Sequence, residues 1–275
     1  MKAVDNLIFA IIRQENLILK KAWTQIAELA ENSLAYSGMS SQEAARLWSR
    51  MDEALKRGVE KAETLSQIED ALRELSGTRE RDPRQTYARL IRRAERCYRN
   101  IEEYLSGRTL LDFGAGSGLL ANLIHQRKRM QVSLVDVVNY SMVSHPYYSY
   151  EQMDKLVFEN RGFDCTLAYL VLHHTDDPFQ SLKEVARVTK RRLIIVEGEV
   201  EEPEKYFVNC FLDWIHNRVL SGINIHVPLN FQTVANWHEW FAKLNLRPRK
   251  TQMLGVDDLS APQFHVLFVL DKNDQ

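Results

Sequence analysis

Two aspartates and three glycines carry the first chemical signal. In "LLDFGAGSGLLANLI" (110–124) an apolar run holding Asp112 enters Gly114, Ala115, Gly116, Ser117 and Gly118, and a helical apolar pattern follows. Glycine at such a strand-to-helix turn permits unusual backbone angles and lets a ligand approach the main chain closely. The spacing is not the GxGxxG of dinucleotide binders. Asp112 would repel a pyrophosphate, whereas it would hold a ligand carrying an ammonium or sulfonium group. Ser117 and Gly118 offer backbone N–H groups to a carboxylate on that same ligand. A second acid, Asp136, closes the run "VSLVDV" with Val137 after it, and a carboxylate there can accept both hydroxyls of a ribose.

Further chemistry can lie at two other strand ends. His173 and His174 open "LHHTDDP", where either can take a proton from an acceptor hydroxyl. Against this, a structural or cofactor-pocket role explains the pair as well. Glu197 closes "LIIVEG" and can meet substrate or orient a loop. Asp177, before Pro178, reads as a helix cap. Cys97, Cys165 and Cys210 lie far apart, with no CxxC pair and no His/Cys cluster of zinc spacing, so no metal site is expected and the thiols read as reduced and cytoplasmic.

These residues need a scaffold, and the chain changes texture to provide one. Residues 1–106 carry helical periodicity only. One amphipathic helix is expected over 4–36, a second from Ser40 with Glu43 at capping-box spacing, and a third from Ser66 with Glu69 to about Gly77. Asp82 and Pro83 start a fourth, to about Leu105. From 107 to 275, β-rich runs apolar on both faces ("TLLDFG", "VSLVDV", "CTLAYLV", "RRLIIVEG", "HVLFVL") alternate with helical patterns. This is the texture of an α/β, doubly wound, mostly parallel sheet covered by helices. A helical cap insertion is expected at about 199–248, where Trp237 and Trp240 have the spacing of a buried face.

An amino-acid end at the first strand and a ribose at the second describe S-adenosyl-L-methionine (SAM). The chain resembles the class I SAM-dependent methyltransferases, and within them the small-molecule branch that includes quinone-biosynthesis enzymes. "LLDFGAGSGLLA" matches that family's first motif, "LVDV" its acidic post-motif, and "EQMDKLVFENRGFDCTLAYLVLHHTDDP" its middle segment. The resemblance implies a Rossmann-like, seven-stranded sheet and places Gln152 and Met153 near the adenine. Gln152 replaces the family's acid there, and Val157 its proline. It also implies that Ala168 and Tyr169 touch the methionine part, and that Tyr87 belongs to a lid helix. From the cap it implies substrate contacts by Trp214, His216, Asn217, Arg218, His226, Phe231 and Thr233, although Thr233 also reads as a helix cap. The product would be S-adenosyl-L-homocysteine. The acceptor would be small and apolar or aromatic, with oxygen favoured over nitrogen or carbon.

Two rival readings stay open. The stretch 79–99 holds Arg79, Arg81, Arg84, Arg89, Arg92, Arg93, Arg96 and Arg99, which suits an RNA or nucleotide substrate, although the interleaved Tyr87, Ile91 and Tyr98 make the arginines more simply the wet face of a packed helix. Alternatively the chain binds SAM and acts as a scaffold without transferring anything. With 275 residues, 45% hydrophobic content and a formal charge of -1, nothing pulls the whole molecule toward nucleic acid or an anionic membrane. "NLIFAII" is too short and too soon charged to span or to direct secretion, so a cytoplasmic protein is expected, and the N-terminal helices are left to complete the substrate pocket or to form a homodimer contact.

Overall fold

The computed structural model describes residues 2–77, 83–150, 155–221 and 225–272. The chain divides into two compact units. The first comprises 1–89, 199–231 and 255–264, and the second 90–198, 232–254 and 265–275.

The first unit is helical. It holds α1 (Lys2–Arg13), α2 (Leu17–Tyr36), α3 (Ser41–Glu60), α4 (Leu65–Ser76), the start of α5 (Pro83–Ile101) and α8 (Pro203–Ile215), which runs into a π-helical turn at His216–Leu220. The periodicity over 4–36 is interrupted: Gln14 takes φ +52° and Asn16 caps α2 by accepting from the Leu19 N–H, so two helices form where one is expected. Ser40 and Glu43 make the anticipated capping box. For α4 the box is Thr64 with Gln67, not Ser66 with Glu69. Glu69 is buried instead, where its carboxylate accepts from Trp214 Nε1 at 2.9 Å, Arg218 Nε at 3.1 Å and Arg73 Nη2 at 3.1 Å.

The core of this unit is aromatic. Phe211 of α8 meets Trp23 of α2 edge-on at 5.1 Å and Trp214 at 5.4 Å, and Trp48 of α3 closes the cluster. That packing draws the first part of the expected cap to the N-terminal helices, so the sequence boundary at 106/107 is not where the compact units divide. The remainder of the expected cap belongs to the other unit.

The second unit contains β1 (Thr109–Phe113), β2 (Gln131–Asp136), β3 (Tyr147–Ser149), β4 (Phe163–Tyr169), β5 (Thr189–Gly198), β6 (Leu246–Gly255) and β7 (His265–Lys272). They form one seven-stranded sheet in the order β3-β2-β1-β4-β5-β7-β6, with β7 antiparallel to β5. Phe113 pairs in register with both Val135 and Ala168, so the C-terminal ends of the three central strands come together. On one face Tyr98 and Ile101 of α5 and Ala121 and Ile124 of α6 (Leu119–Lys128) pack on the strands. On the other face lie Leu182 and Val185 of α7 (Pro178–Val188) and Trp237 and Phe241 of α9 (Val234–Lys243). The buried stripe of α5 leaves Arg99 toward water, and Arg79 and Arg81 of the basic stretch lie outside the described residues.

All three cysteines are buried, and burial pushes the Cys165 thiol up to about 12 and the Cys210 thiol well above its ordinary value. Among the described residues, no helix is long and apolar enough to cross a membrane.

Candidate functional site

The glycine turn folds over the end of β2. Gly114 and Ala115 both donate their backbone N–H to the Val135 carbonyl, at 2.8 and 3.0 Å. Gly114 has φ +76°, and a Cβ there would lie 2.2 Å from Val171, so only glycine fits between the turn and the loop after β4. Gly116 has φ +51°, yet a Cβ there would meet nothing within 4 Å. The main chain is therefore bare on that side, which is what a ligand approaching it closely requires. Gly118, in left-handed conformation, precedes α6.

Asp136 is tied into the same turn. Its Oδ2 accepts from the Gly116 N–H at 2.7 Å and its Oδ1 from the Val137 N–H at 2.7 Å, while its carbonyl accepts from the Tyr147 hydroxyl at 2.8 Å. Burial raises the Asp136 carboxyl from its ordinary value, and the N–H donors of Gly116, Val137 and Val138 oppose that rise. Asp112 is 3% exposed, and no hydrogen bond to its carboxyl comes from the described residues. Burial, and then the negative charge of Asp136, push it up to about 7. A buried acid with no donor, beside a second acid, gains stability from any cation placed against it. The SAM ammonium is such a cation, so this donor set fits the cofactor.

At the end of β4, Ala168 is fully buried between β1 and β5, and the half-buried Tyr169 accepts from Asn100 Nδ2 of α5 at 3.3 Å. Leu170 follows with φ +54°, an uncommon angle for leucine, and leads into a 3₁₀ turn at Leu172–His174. Gln152 and Met153 lie outside the described residues. Tyr87 is exposed and falls in the first unit.

The catalytic candidates meet at the ends of β4 and β5. His173 and Glu197 are each 1% exposed and face one another, with Nδ1 to Oε2 at 2.6 Å. Glu197 Oε1 accepts from the N–H groups of Leu172 at 2.7 Å and Val171 at 3.2 Å. Burial works against the Glu197 charge, yet His173, the Leu172 N–H and His174 together hold the carboxyl below its ordinary value. Glu197 thereby ties the end of β5 to the loop after β4. His174 is half-buried beside His173, with ring centroids 4.2 Å apart. Asp177 caps α7 by accepting from the Gln180 N–H, and Thr233 caps α9.

The residues expected to touch substrate that precede position 232 all lie in the helical unit. Trp214 is 1% exposed with its N–H on Glu69, Arg218 is paired with Glu69 through Nε and Nη2, and Phe231 is part of the core. Asn217 is buried and donates to Asp213 at 2.9 Å. His226 is exposed. His216 alone of this set lines a cleft, together with Ala30, Leu34, Trp48, Met51 and Ile215. The anchoring role of Glu69 had no signal beyond its acidic type, because its partners lie in a distant part of the sequence.

The strand order, the antiparallel β7, the glycine turn after β1 and the acid ending β2 define the class of fold: Rossmann-like, similar to that of SAM-dependent methyltransferases. Residues 111–196 match the family described as a methyltransferase domain. No curated protein matches the chain. Among solved structures, the fold is similar to one in the complex of the Haloferax volcanii Trm112 methyltransferase activator with a methyltransferase, at 16% identity and a TM-score of 0.51, covering 69% of this chain and 96% of that one. It is also similar to the geranyl diphosphate C-methyltransferase of Streptomyces coelicolor A3(2), crystallised with Mg2+, geranyl diphosphate and S-adenosyl-L-homocysteine. There the identity is 14% and the TM-score 0.50, with 65% of this chain and 77% of that one covered.

Proposed function

We propose that the protein methylates a small apolar or aromatic acceptor, with oxygen the favoured accepting atom. This reading is supported by the match of residues 111–196 to a methyltransferase domain and by the bare glycine turn beside Asp112, while the acceptor class rests on the Trp, Phe and Tyr side chains of the sequence. SAM, when bound, supplies a methyl group already activated on sulfonium, so the chain's own task is to bind, align and, for a hydroxyl acceptor, remove a proton. In this reading Asp112 holds the cofactor's ammonium, Asp136 its ribose hydroxyls, and the backbone from Gly114 to Gly118 its carboxylate end. Ala168 and Tyr169 flank the methionine part. His174 takes the acceptor's proton, because His173 is committed to Glu197 in the buried pair.

The test is methyl transfer from labelled SAM to a panel of phenols, aliphatic alcohols, amines and alkenes. Labelled methyl ethers are expected, and His174→Ala should slow their formation while leaving the SAM affinity unchanged. Transfer to amines or carbon alone would refute the oxygen preference. Transfer to RNA, or to nothing, would favour the nucleic-acid or the scaffold reading.

A further inference from the structure

Away from the glycine turn, two histidines of the second unit face one another. His125 lies in the last turn of α6, and His145 lies in the segment leading to β3. Their ring centroids are 5.0 Å apart at 65°. Each ring makes a hydrogen bond that determines which nitrogen carries its proton. His125 Nδ1 lies 2.8 Å from the Met130 carbonyl, which only accepts, so Nδ1 bears the hydrogen and Nε2 keeps its lone pair. His145 Nε2 lies 3.1 Å from Asn122 Oδ1, so Nε2 donates and Nδ1 keeps its lone pair. Two imidazoles, each donating one N–H to an oxygen and leaving the other nitrogen bare, reproduce the arrangement that orients histidines for a metal.

We propose that His125 Nε2 and His145 Nδ1 bind one late-transition-metal dication, of which zinc is the representative case, with water completing the shell. Nitrogen-to-zinc distances of about 2.0–2.1 Å and a tetrahedral angle would place the two ring centroids about 5.2 Å apart, close to the observed spacing. His125 is exposed and His145 half-buried, so an ion can enter from solvent. The last carbonyls of α6 add a favourable potential for a cation. The ion would fasten the end of α6 to the segment after β2. That segment is already tied to the turn, because the Met142 N–H donates to the Ser117 carbonyl at 2.9 Å.

Zinc chloride titrated calorimetrically into the metal-stripped full-length protein near neutral pH tests this. One ion per chain is expected in the wild type, with affinity weakened at least about tenfold in His125→Ala and again in His145→Ala. Nitrogen-15 spectra of the wild-type histidine side chains give a second readout that does not depend on the variants folding. Zinc should shift Nε2 of His125 and Nδ1 of His145. Absence of binding, a site that both variants retain, or ligation through the opposite nitrogens would overturn the assignment.

Discussion

The backbone N–H of Gly116 and the carboxylate of Asp136 meet at 2.7 Å, joining the turn after β1 to the end of β2. The bond fixes the carboxylate before any ligand arrives. With one oxygen on Gly116 and the other on Val137, each oxygen still has a lone pair for a further donor, which is the demand a ribose diol makes. Removing Asp136 should therefore loosen both the ribose and the turn. Asp136→Ala is expected to weaken SAM binding by about 1–3 kcal/mol, measured calorimetrically. An unchanged affinity would show the ribose assignment to be wrong.

Asp112 makes the affinity depend on pH. Its carboxyl titrates at about 7 in the folded protein against an ordinary value of 3.8. Below about 7 it is protonated and must lose that proton to hold a cation, so SAM affinity should fall by up to about tenfold per pH unit on acidification and level off above that value. Asp112→Asn should flatten the profile.

The same group acts on stability with the opposite sense. Between 3.8 and about 7 the folded state holds a proton on Asp112 that the unfolded state has released. The ligand-free protein therefore has this group's full favourable share below 3.8 and loses it as the pH rises through about 7, by at most about 1.4 kcal/mol per unit. Urea unfolding of wild type and Asp112→Asn across that range measures the difference, and parallel curves would count against it.

Two glycines of one turn should respond differently to alanine. Gly114→Ala places a methyl group against Val171 in a left-handed conformation and should cost about 2–4 kcal/mol of stability. Gly116→Ala meets open space, so its stability cost should stay near 1 kcal/mol, from backbone strain alone. The SAM affinity of Gly116→Ala should nevertheless fall, since the methyl group occupies the side left bare for the ligand. Thermal unfolding and titration of the two variants separate these effects.

Glu197→Ala should destabilise the protein by about 3–5 kcal/mol, because it leaves His173 and two loop N–H groups buried without their acceptor. Chemical denaturation reads this directly. A variant of wild-type stability with lost turnover would instead restore Glu197 as a catalytic group.

The central strands were legible in the sequence because β1, β2, β4, β5 and β7 are buried and read as apolar runs. The edges were not. β6, "LRPRKTQMLG", is mostly exposed, and β3 has only three residues, so neither carries the period that marks a strand. The strand-to-helix turn was legible because its positive-φ positions need glycine, which shows in the sequence as Gly114, Gly116 and Gly118. The packing partners of Trp214 and Arg218 were not, since both meet Glu69, a residue about half the chain away. A capping-box spacing at Ser66 and Glu69 concealed that partnership, while the working box was two residues earlier at Thr64.

Because Cys97, Cys165 and Cys210 are all buried and the thiols of the last two are held far from ionisation, the folded protein presents a surface silent to thiol-directed reagents. A cysteine placed on the surface of each unit would then be the only reactive pair. Spin or fluorescent labels on such a pair would report the distance between the helical and the sheet units, with and without SAM, in the otherwise native chain.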